Sequence, residues 1–382
     1  MTTFNTKHIV ILLLFTFLTI LLSGSIDYHN SSYSNRDFNK YISMAEASPG
    51  IEASIIRPFV YRIAMPWLAG ILPFSIPTSF LILNSISLFL LTIVFYLFLL
   101  EYKTDENLAI VITIIFQLNR YFFQFLGWNY FQLSDTLSLT FLFYSFILLR
   151  HKNFIGLFFI MVFGVLVKEY MLIFIPAGFV LLIERKLLKK ELLFFSIISF
   201  VSFLTFWGIR KIIPTEGGES LFIQYTTQLV YYSKPILLIK RFIIPFSPFG
   251  LLPILFYKDL FYFFQKNKHL FIYSLTVIVL SFFGESERLM APLAPVYFLF
   301  IAELIAKYFA KNSAEIFKNR VIISLIIMAF LTSFYHLWGV IKLPNEYYSM
   351  ISTFAFTIAV TLIFLIKLIS KSRLQNDTIS NE

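Results

Sequence analysis

The side chains best suited to chemistry in this chain are carboxylates and bases that stand between long apolar segments. The first group follows the first such segment and consists of Asp27, Asp37, Arg57, Tyr61 and Arg62. A carboxylate can act as a general base on a hydroxyl group, or it can hold a divalent cation such as Mg²⁺ or Mn²⁺. Guanidinium groups can bind the oxygens of a phosphate bidentately. The first group therefore predicts chemistry at a phosphate.

A second group is spread over three later junctions between apolar segments. Asp135 starts one segment, Lys168 and Glu169 separate two others, and a further turn contains Glu285 and Arg288. Taken singly, each residue is explained by a helix cap or a turn. Ionisable groups close to hydrocarbon are unfavourable, however, and tend to mark function. The basic members would neutralise a leaving phosphate, so we predict the whole group, with the arginines and the tyrosine of the first, as ligands of substrate or phosphate.

Asp37 is the first choice for the catalytic carboxylate and Asp27 the second; a metal ion, if the reaction uses one, would also bind Asp37. A structural role is equally open, because residues 34–37 read Ser-Asn-Arg-Asp, the spacing of a helix capping box. Apolar residues then follow at the spacing of one helix face: Phe38, Tyr41, Ile42 and Ala45. This pattern predicts a short amphipathic helix on the membrane surface. Arg57 and Arg62, similarly, could simply lay their stems along the interface.

The composition of the chain indicates its environment. Hydrophobic residues make up 58% of the 382 residues and charged residues 14%, with a mean hydropathy of +0.80, whereas soluble domains have roughly 45–50% apolar and about 25% charged residues. The net charge of +10 is explained by loop lysines and arginines that fix membrane orientation, so we expect no nucleic-acid partner. The chain has no cysteine, scattered histidines and no glycine-rich nucleotide motif. Disulfides are therefore excluded, and zinc or nucleotide sites have no support.

Apolar segments close to the ~20 residues that cross a bilayer recur along the whole chain. The twelve predicted segments are 8–25, 78–100, 108–126, 133–149, 154–167, 170–183, 192–209, 236–256, 270–283, 289–306, 321–339 and 347–367. We therefore predict an all-α, polytopic membrane protein with one transmembrane domain, residues 1–367, whose first helix is retained rather than cleaved. Two long loops, 27–77 and 210–235, and a polar tail, 368–382, complete the prediction.

Lysine and arginine are unevenly distributed between the predicted loops. If the amino terminus is inside, the inside connections are rich in both, whereas the short outside connections contain only Lys168, Arg288 and Lys342. This is the asymmetry of the positive-inside rule. It predicts a protein of the cell (inner, cytoplasmic) membrane with both termini cytoplasmic. Both groups of candidate residues then lie on the extracytoplasmic face.

The order of these features resembles the GT-C superfamily of membrane glycosyltransferases, over roughly residues 1–300. The matching features are a first helix, a long outer loop with an acidic residue and a surface helix, the 57–66 stretch, Ser134-Asp135, Lys168-Glu169 and the 285–288 turn followed by prolines. Many members have two acidic residues close together in that loop, whereas Asp27 and Asp37 here stand ten apart.

The resemblance implies a GT-C-like fold and an inverting hexosyl or pentosyl transfer with a loop aspartate as base. The donor would be a polyprenyl-phosphate-linked sugar and the acceptor a glycan, a lipid or a protein. A polymerase or ligase of surface polysaccharide would share this donor. A secondary transporter is a third alternative, although the sequence has no internal repeat of the kind that builds such folds. The length of the first loop argues against a non-enzymatic scaffold.

Overall fold

The computed structural model of the protein describes residues 5–30, 37–52, 54–186, 189–213, 221–231, 233–282, 287–308 and 320–333. Every regular element among these residues is helical, which confirms the all-α prediction. The α-helices are α1 (Thr6–Ser23), α2 (Phe38–Glu46), α3 (Ala64–Ile71), α4 (Ile76–Glu101), α5 (Glu106–Gln117), α6 (Phe123–Trp128), α7 (Leu133–Arg150), α8 (Phe154–Val167), α9 (Phe174–Glu184), α10 (Lys189–Ile212), α11 (Leu221–Tyr231), α12 (Pro235–Ile243), α13 (Leu252–Leu255), α14 (Tyr257–Lys266), α15 (Lys268–Ser281), α16 (Ala294–Tyr308) and α17 (Arg320–Thr332). Short 3₁₀ helices occur at Phe59–Tyr61, Tyr130–Gln132, Glu169–Ile173, Ile244–Phe246 and Glu287–Leu293.

Helices long and apolar enough to cross a membrane confirm that this is a membrane protein with transmembrane segments. Within the described residues there are five: Thr6–Ser23, Ile76–Glu101, Tyr130–Arg150, Lys189–Ile212 and Arg288–Tyr308. Four shorter apolar helices accompany them: Glu106–Gln117, Phe154–Val167, Lys268–Ser281 and Ile322–Thr332. The count of twelve stays a prediction, because the last predicted segment, 347–367, and the polar tail lie outside the described residues.

The predicted segment 108–126 is broken into two helices, α5 and α6. Asn119 lies in the break, and its Oδ1 accepts from the backbone N–H groups of Tyr121 at 3.0 Å and Phe122 at 2.9 Å. An asparagine side chain that bonds nearby amides competes with the helix in this way. The apolar run alone could not reveal this break. The predicted loop 210–235 likewise differs from the structure, because it contains α11.

Aromatic side chains fill the middle of the bundle, where α4 packs along α7. The ring centroid of Phe95 lies 4.5 Å from that of Phe116 and 5.6 Å from that of Phe143, and all three residues are fully buried. Aromatic pairs at such distances add to the free energy gained by burial.

Between α1 and α4, the Thr16 and Thr92 hydroxyls form a hydrogen bond of 3.0 Å. Bonds between small polar residues hold helices together in lipid.

Several helices leave an apolar side uncovered by protein. Leu14 and Leu21 of α1 are 64% and 60% exposed, and Ile155 of α8 is 75% exposed. Large exposed apolar surface marks contact with a membrane or a partner. In a chain with helices of this length, lipid is the natural neighbour of these faces.

The amphipathic helix predicted after Asp37 exists as α2, and its apolar face is covered by protein. Phe38 and Tyr41 are buried. The Phe38 ring lies 5.6 Å from the Phe131 ring, and the Tyr41 ring lies 5.7 Å from the Phe59 ring. The expectation that this face lies in the membrane surface is therefore corrected, because aromatic side chains of the same chain take the place of lipid.

The bundle has two polar ends. The end with the segment between α1 and α4, which includes α2 and α3, is called the loop-one end. At the other, opposite end, Arg150 Nε donates to Glu101 Oε1 at 2.8 Å and ties the end of α7 to the end of α4. Which side of the membrane each end faces stays a prediction from the charge distribution.

Candidate functional site

Asp37 occupies the position just before α2, but its side chain forms no capping hydrogen bond. Its carboxylate instead accepts from Arg288 Nη2 at 3.0 Å and from Lys40 Nζ at 3.4 Å. Asp37 therefore does not cap the first turn of α2, and it is bound instead by charged donors, which make stronger hydrogen bonds than backbone amides. The capping box of residues 34–37 stays a prediction. Ser34, the other half of that box, lies outside the described residues. The carboxylate of Asp37 belongs to an ion-pair network.

Arg288 connects Asp37 to Asp135 at the start of α7. The Nε of Arg288 lies 3.6 Å from Asp135 Oδ2, and Asp135 also forms an ion pair with Lys168. The side chains of Lys168 and Asp135 are only 2% and 7% exposed. Removal of one member of such a buried pair would leave an uncompensated charge. The three residues therefore depend on each other.

Arg62, between the Phe59–Tyr61 helix and α3, forms a second set of contacts. Its Nε donates to Glu169 Oε2 at 3.1 Å, its Nη2 bonds the other carboxylate oxygen, and its Nη1 donates to the Tyr41 hydroxyl at 3.1 Å. A two-point contact between guanidinium and carboxylate is among the strong ion-pair geometries. Because Glu169 follows Lys168 directly in the sequence, it joins this set to the pairs around Asp135.

These residues come together from segments far apart in the chain. We call the following set the loop-one charge cluster: Asp37, Lys40, Arg62, Asp135, Lys168, Glu169 and Arg288. Four of its members are basic and three are acidic, so with every group ionised the described cluster has one more positive than negative charge. Burial, together with Arg62 and Arg288, holds the pKa of Lys168 well below its ordinary value. An arrangement built from so many segments is not explained by the capping of any single helix. Its excess positive charge suits an anion.

The part of the cluster around Lys168 and Asp135 is buried and has little free space, whereas Lys40, Asp37 and Glu169 are partly exposed. A small cavity beside it has Asp135, Tyr170 and Arg288 in its wall and a volume of about 10 Å³, roughly the space for one water molecule. The Tyr170 hydroxyl has no hydrogen-bond partner among the described residues, and the Tyr170 ring centroid lies 4.1 Å from Lys168 Nζ. A phosphate group is larger than this cavity. Its binding would require the ion pairs to open.

Neighbouring charges set the protonation of the cluster's carboxylates. Burial acts to raise the pKa of Glu169, but Arg62 outweighs burial and holds that pKa at about 2. Burial also acts to raise the pKa of Asp37, and there Arg288 and Lys40 hold the pKa below its ordinary value. Both carboxylates are therefore ionised at neutral pH.

Other predicted residues have different contacts. Asp27 Oδ1 accepts the backbone N–H two residues further on at 3.1 Å, which is a local turn contact. Tyr61 is buried, and the guanidinium of Arg210 lies 4.5 Å from its ring centroid. Arg57 is exposed. Glu285 lies outside the described residues. The structure therefore brings together Asp37, Arg62, Asp135, Lys168, Glu169 and Arg288 from the predicted set.

Sequence reasoning missed Lys40, Tyr41 and Tyr170 as neighbours of the site. Lys40 follows Asp37 by three residues, a spacing at which helical side chains meet, so the signal was available. Tyr41 was predicted only as part of an apolar face. Its hydroxyl, at the polar end of an otherwise apolar side chain, reaches Arg62, and tyrosine commonly combines the two roles.

The described residues do not assemble a metal site. Within the described parts of the chain, no group of three or more metal-ligating side chains is close enough to hold an ion. Asp37 and Asp135 both contact Arg288, whose guanidinium takes the place that a cation would need between them. The prediction that Asp37 holds a divalent cation gains no support from this geometry.

Comparison with known proteins adds no family to these observations. No protein family, no curated protein sequence and no solved structure matches this chain. The functional interpretation therefore rests on the residues of the loop-one charge cluster.

Proposed function

We propose that this protein is a membrane glycosyltransferase that moves a sugar from a polyprenyl-phosphate donor to an acceptor at the loop-one end, on the extracytoplasmic face. The observation on which the proposal rests is the convergence of Arg62, Lys168 and Arg288 beside Asp37, with an excess of positive charge in the described cluster. Preorganised positive charge stabilises a leaving phosphate. A bundle with lipid-facing helices suits a substrate whose lipid stays in the membrane.

The reaction would exchange one bond of the sugar for another. The bond between the anomeric carbon and the phosphate oxygen breaks, and a bond between that carbon and an acceptor oxygen forms. The acceptor hydroxyl gives its proton to the carboxylate of Asp37, and polyprenyl phosphate leaves with the bonding electrons. Arg288, Lys168 and Arg62 would offset the charge that develops on the phosphate.

The ion pair between Asp37 and Arg288 explains how the base could be activated. Paired as it is, Asp37 has a lowered pKa and is a weak base. A donor phosphate that bonds Arg288 would draw the guanidinium away from Asp37. Burial raises the pKa of Asp37, and with Arg288 withdrawn less positive charge would oppose this effect. The pKa of Asp37 would rise, and the carboxylate would become a stronger base. Donor binding and the strength of the base would thus be coupled.

A secondary transporter is the second candidate, because closed ion pairs at one end of a helix bundle would also suit a gate. The transporter function predicts solute uptake that depends on the same residues. A polysaccharide polymerase or ligase, in contrast, would use the same donor chemistry and the same cluster.

The experiment is a mass comparison of surface glycans and lipid-linked sugars in cells with the protein, without it, and with single variants. Asp37→Asn should reproduce the loss of the protein, with transfer reduced about 100-fold or more and the lipid-linked sugar accumulating at normal membrane abundance of the variant. Asp27→Asn is the matched control, because it makes the same change in the same loop outside the cluster.

Normal glycans with Asp37→Asn would remove this residue from the mechanism. An unchanged glycan profile combined with altered solute uptake in cells without the protein would favour the transporter.

A further inference from the structure

A groove runs along the outer surface of α2, next to the loop-one charge cluster. Its volume is about 730 Å³, within the range of small-molecule sites. One wall is the polar face of α2, where Asn39, Ser43 and Glu46 recur at the spacing of one helix face. The other wall is the segment that includes Glu52 and Ser54. The groove is therefore much larger than the small cavity beside the cluster.

The second wall of the groove is held in place by specific hydrogen bonds. Glu52 Oε1 accepts from the backbone N–H of Ser54 at 3.1 Å and from its hydroxyl at 2.5 Å. Trp67 of α3 donates from Nε1 to the Gly50 carbonyl at 2.8 Å, and Ser48 Oγ donates to the Trp67 carbonyl at 3.2 Å. The bonds to Trp67 attach Ser48 and Gly50 to α3, and the bonds between Glu52 and Ser54 are local to the second wall.

Lys40 connects the groove to the proposed base. Its side chain lines the groove, while its Nζ lies 3.4 Å from Asp37 Oδ1 and 4.0 Å from the ring centroid of Phe59. A ligand in the groove would therefore end beside the Asp37 carboxylate. Displacement of Lys40 from Asp37 by such a ligand would also leave the carboxylate with less positive charge.

The chemistry of the lining favours a ligand rich in hydroxyl groups. Glu46 and Glu52 can each accept hydrogen bonds from hydroxyls, and Asn39 and Ser43 can both donate and accept. Two carboxylates against one ammonium make the lining unsuited to an anion. Ile56 is 43% exposed at one side and offers an apolar surface to the carbon face of a sugar ring.

We propose that this groove binds the sugar end of a glycan acceptor and presents its hydroxyl to Asp37. This inference rests on the proposed transferase function and specifies the substrate class of its second site. The donor phosphate and the acceptor sugar would then occupy separate surfaces, the charge cluster and the groove. Lys40 and Asp37 lie where the two meet.

The absence of cysteine from the sequence allows a direct test in native membranes. Ser43→Cys puts one thiol in the groove, and Ile51→Cys, at an exposed residue of the same loop that does not line the groove, is the matched control. Each variant is treated after folding with a bulky, membrane-impermeant maleimide. Labelled Ser43→Cys should lose about tenfold or more of its sugar transfer, while slow hydrolysis of the lipid-linked donor continues. Labelled Ile51→Cys should keep its activity, and the loss in labelled Ser43→Cys is counted relative to the same variant without label, so that it reports the bulk of the label alone.

Three results would overturn the acceptor groove: full transfer by labelled Ser43→Cys, no labelling of its thiol, or equal loss of transfer and hydrolysis. Asp37→Asn, assayed in parallel, separates this inference from the proposed function. If Asp37→Asn is inactive while labelled Ser43→Cys is active, only the groove is wrong. If Asp37→Asn is fully active, the transferase mechanism itself fails.

A second pair of variants tests the hydrogen bonds without filling the groove. Glu46→Gln and Glu52→Gln should each raise the acceptor concentration for half-maximal transfer about tenfold and leave the maximal rate unchanged, because hydrogen bonds to a charged group are lost from binding. Unchanged acceptor dependence in both variants would contradict the proposed role of these carboxylates.

Discussion

The two polar ends of the bundle hold their charges in different ways. At the loop-one end, the side chains of Lys168 and Asp135 are 2% and 7% exposed. At the opposite end, the paired lysines Lys152 and Lys307 are 49% and 58% exposed, although Arg150 is only 15% exposed. Charges in solvent contribute little to stability and serve well to fix orientation. Buried charges need a reason to be kept, and a substrate is such a reason.

One buried group at the opposite end shows how the ends differ. His269 is buried, its Nδ1 bonds Glu184, and its Nε2 lies 2.7 Å from the Tyr102 hydroxyl. Both ring nitrogens therefore have partners, and the contacts join α4, α9 and α15. This group ties helices together. The loop-one charge cluster, in contrast, has more positive than negative charge among its described members and a cavity at its side.

The comparison between the two ends is tested most sharply by determining which side of the membrane each end faces. Asn39 is exposed at the loop-one end and Lys152 is exposed at the opposite end, so each can be replaced by a single cysteine. A membrane-impermeant maleimide should label Asn39→Cys in intact cells and Lys152→Cys only after permeabilisation. Reporter fusions at position 217 should read outside and at Lys189 inside. The reverse pattern would put the proposed site in the cytoplasm.

Removal of one charge from each end should affect stability unequally. Lys168→Met removes the closest cation of the buried Asp135 and leaves it only the longer contact with Arg288, at 3.6 Å. The variant should lower the free energy of unfolding by about 3 kcal/mol. Lys307→Met removes the exposed lysine of the pair with Asp259, which keeps its hydrogen bond from the Tyr308 hydroxyl. This variant should change the free energy of unfolding by about 0–1 kcal/mol. Thermal unfolding in detergent measures both. The double variant Asp135→Asn with Lys168→Met should recover part of the loss, and equal effects of the two single variants would erase the difference between the ends.

Acid should reveal the contribution of Glu169. Because its pKa in the folded protein, about 2, lies below its ordinary value of 4.5, the ionised carboxylate stabilises the fold above pH 4.5, and this stabilisation is lost as pH falls through about 2. Wild-type protein should exceed Glu169→Gln in stability by about 3 kcal/mol at most at pH 7, and by about half of that at pH 3. Thermal unfolding over this pH range measures the change.

The matched control for this pH experiment is Asp259→Asn at the opposite end. This variant should change the free energy of unfolding by at most about 1 kcal/mol at pH 7. A difference between wild type and Glu169→Gln that grows on acidification would contradict the assigned direction of the pKa.

Hydropathy predicts the helices well where the chain has no competing side chain. The segment 154–167 coincides with α8, because its apolar run is uninterrupted. The segment 108–126 fails at Asn119, whose side chain takes backbone hydrogen bonds from the helix. The segment also contains Gln117, Arg120 and Gln124, but mean hydropathy over a window does not show which polar side chain takes hydrogen bonds from the backbone.

Some residues of the charge cluster could be predicted from the sequence because of their positions relative to the apolar segments. Asp135, Lys168 and Arg288 all stand where an apolar segment begins or ends, and a topology alone puts such positions at one end of the bundle. The positions of Asp27 and Tyr61 relative to the cluster depend on how the first loop folds. The fold of the first loop is determined by tertiary packing and cannot be predicted from the local sequence.

The most direct test of the central claim compares one guanidinium from each end. Arg288 and Arg150 are both partly buried, with side chains 20% and 15% exposed, and both pair with carboxylates. Arg288→Ala should lower sugar transfer about 100-fold or more, with accumulation of the lipid-linked sugar. Arg150→Ala, corrected for membrane abundance, should keep its transfer rate. If Arg288→Ala transfers sugar as fast as Arg150→Ala, the loop-one charge cluster is not the phosphate-binding site of a transferase.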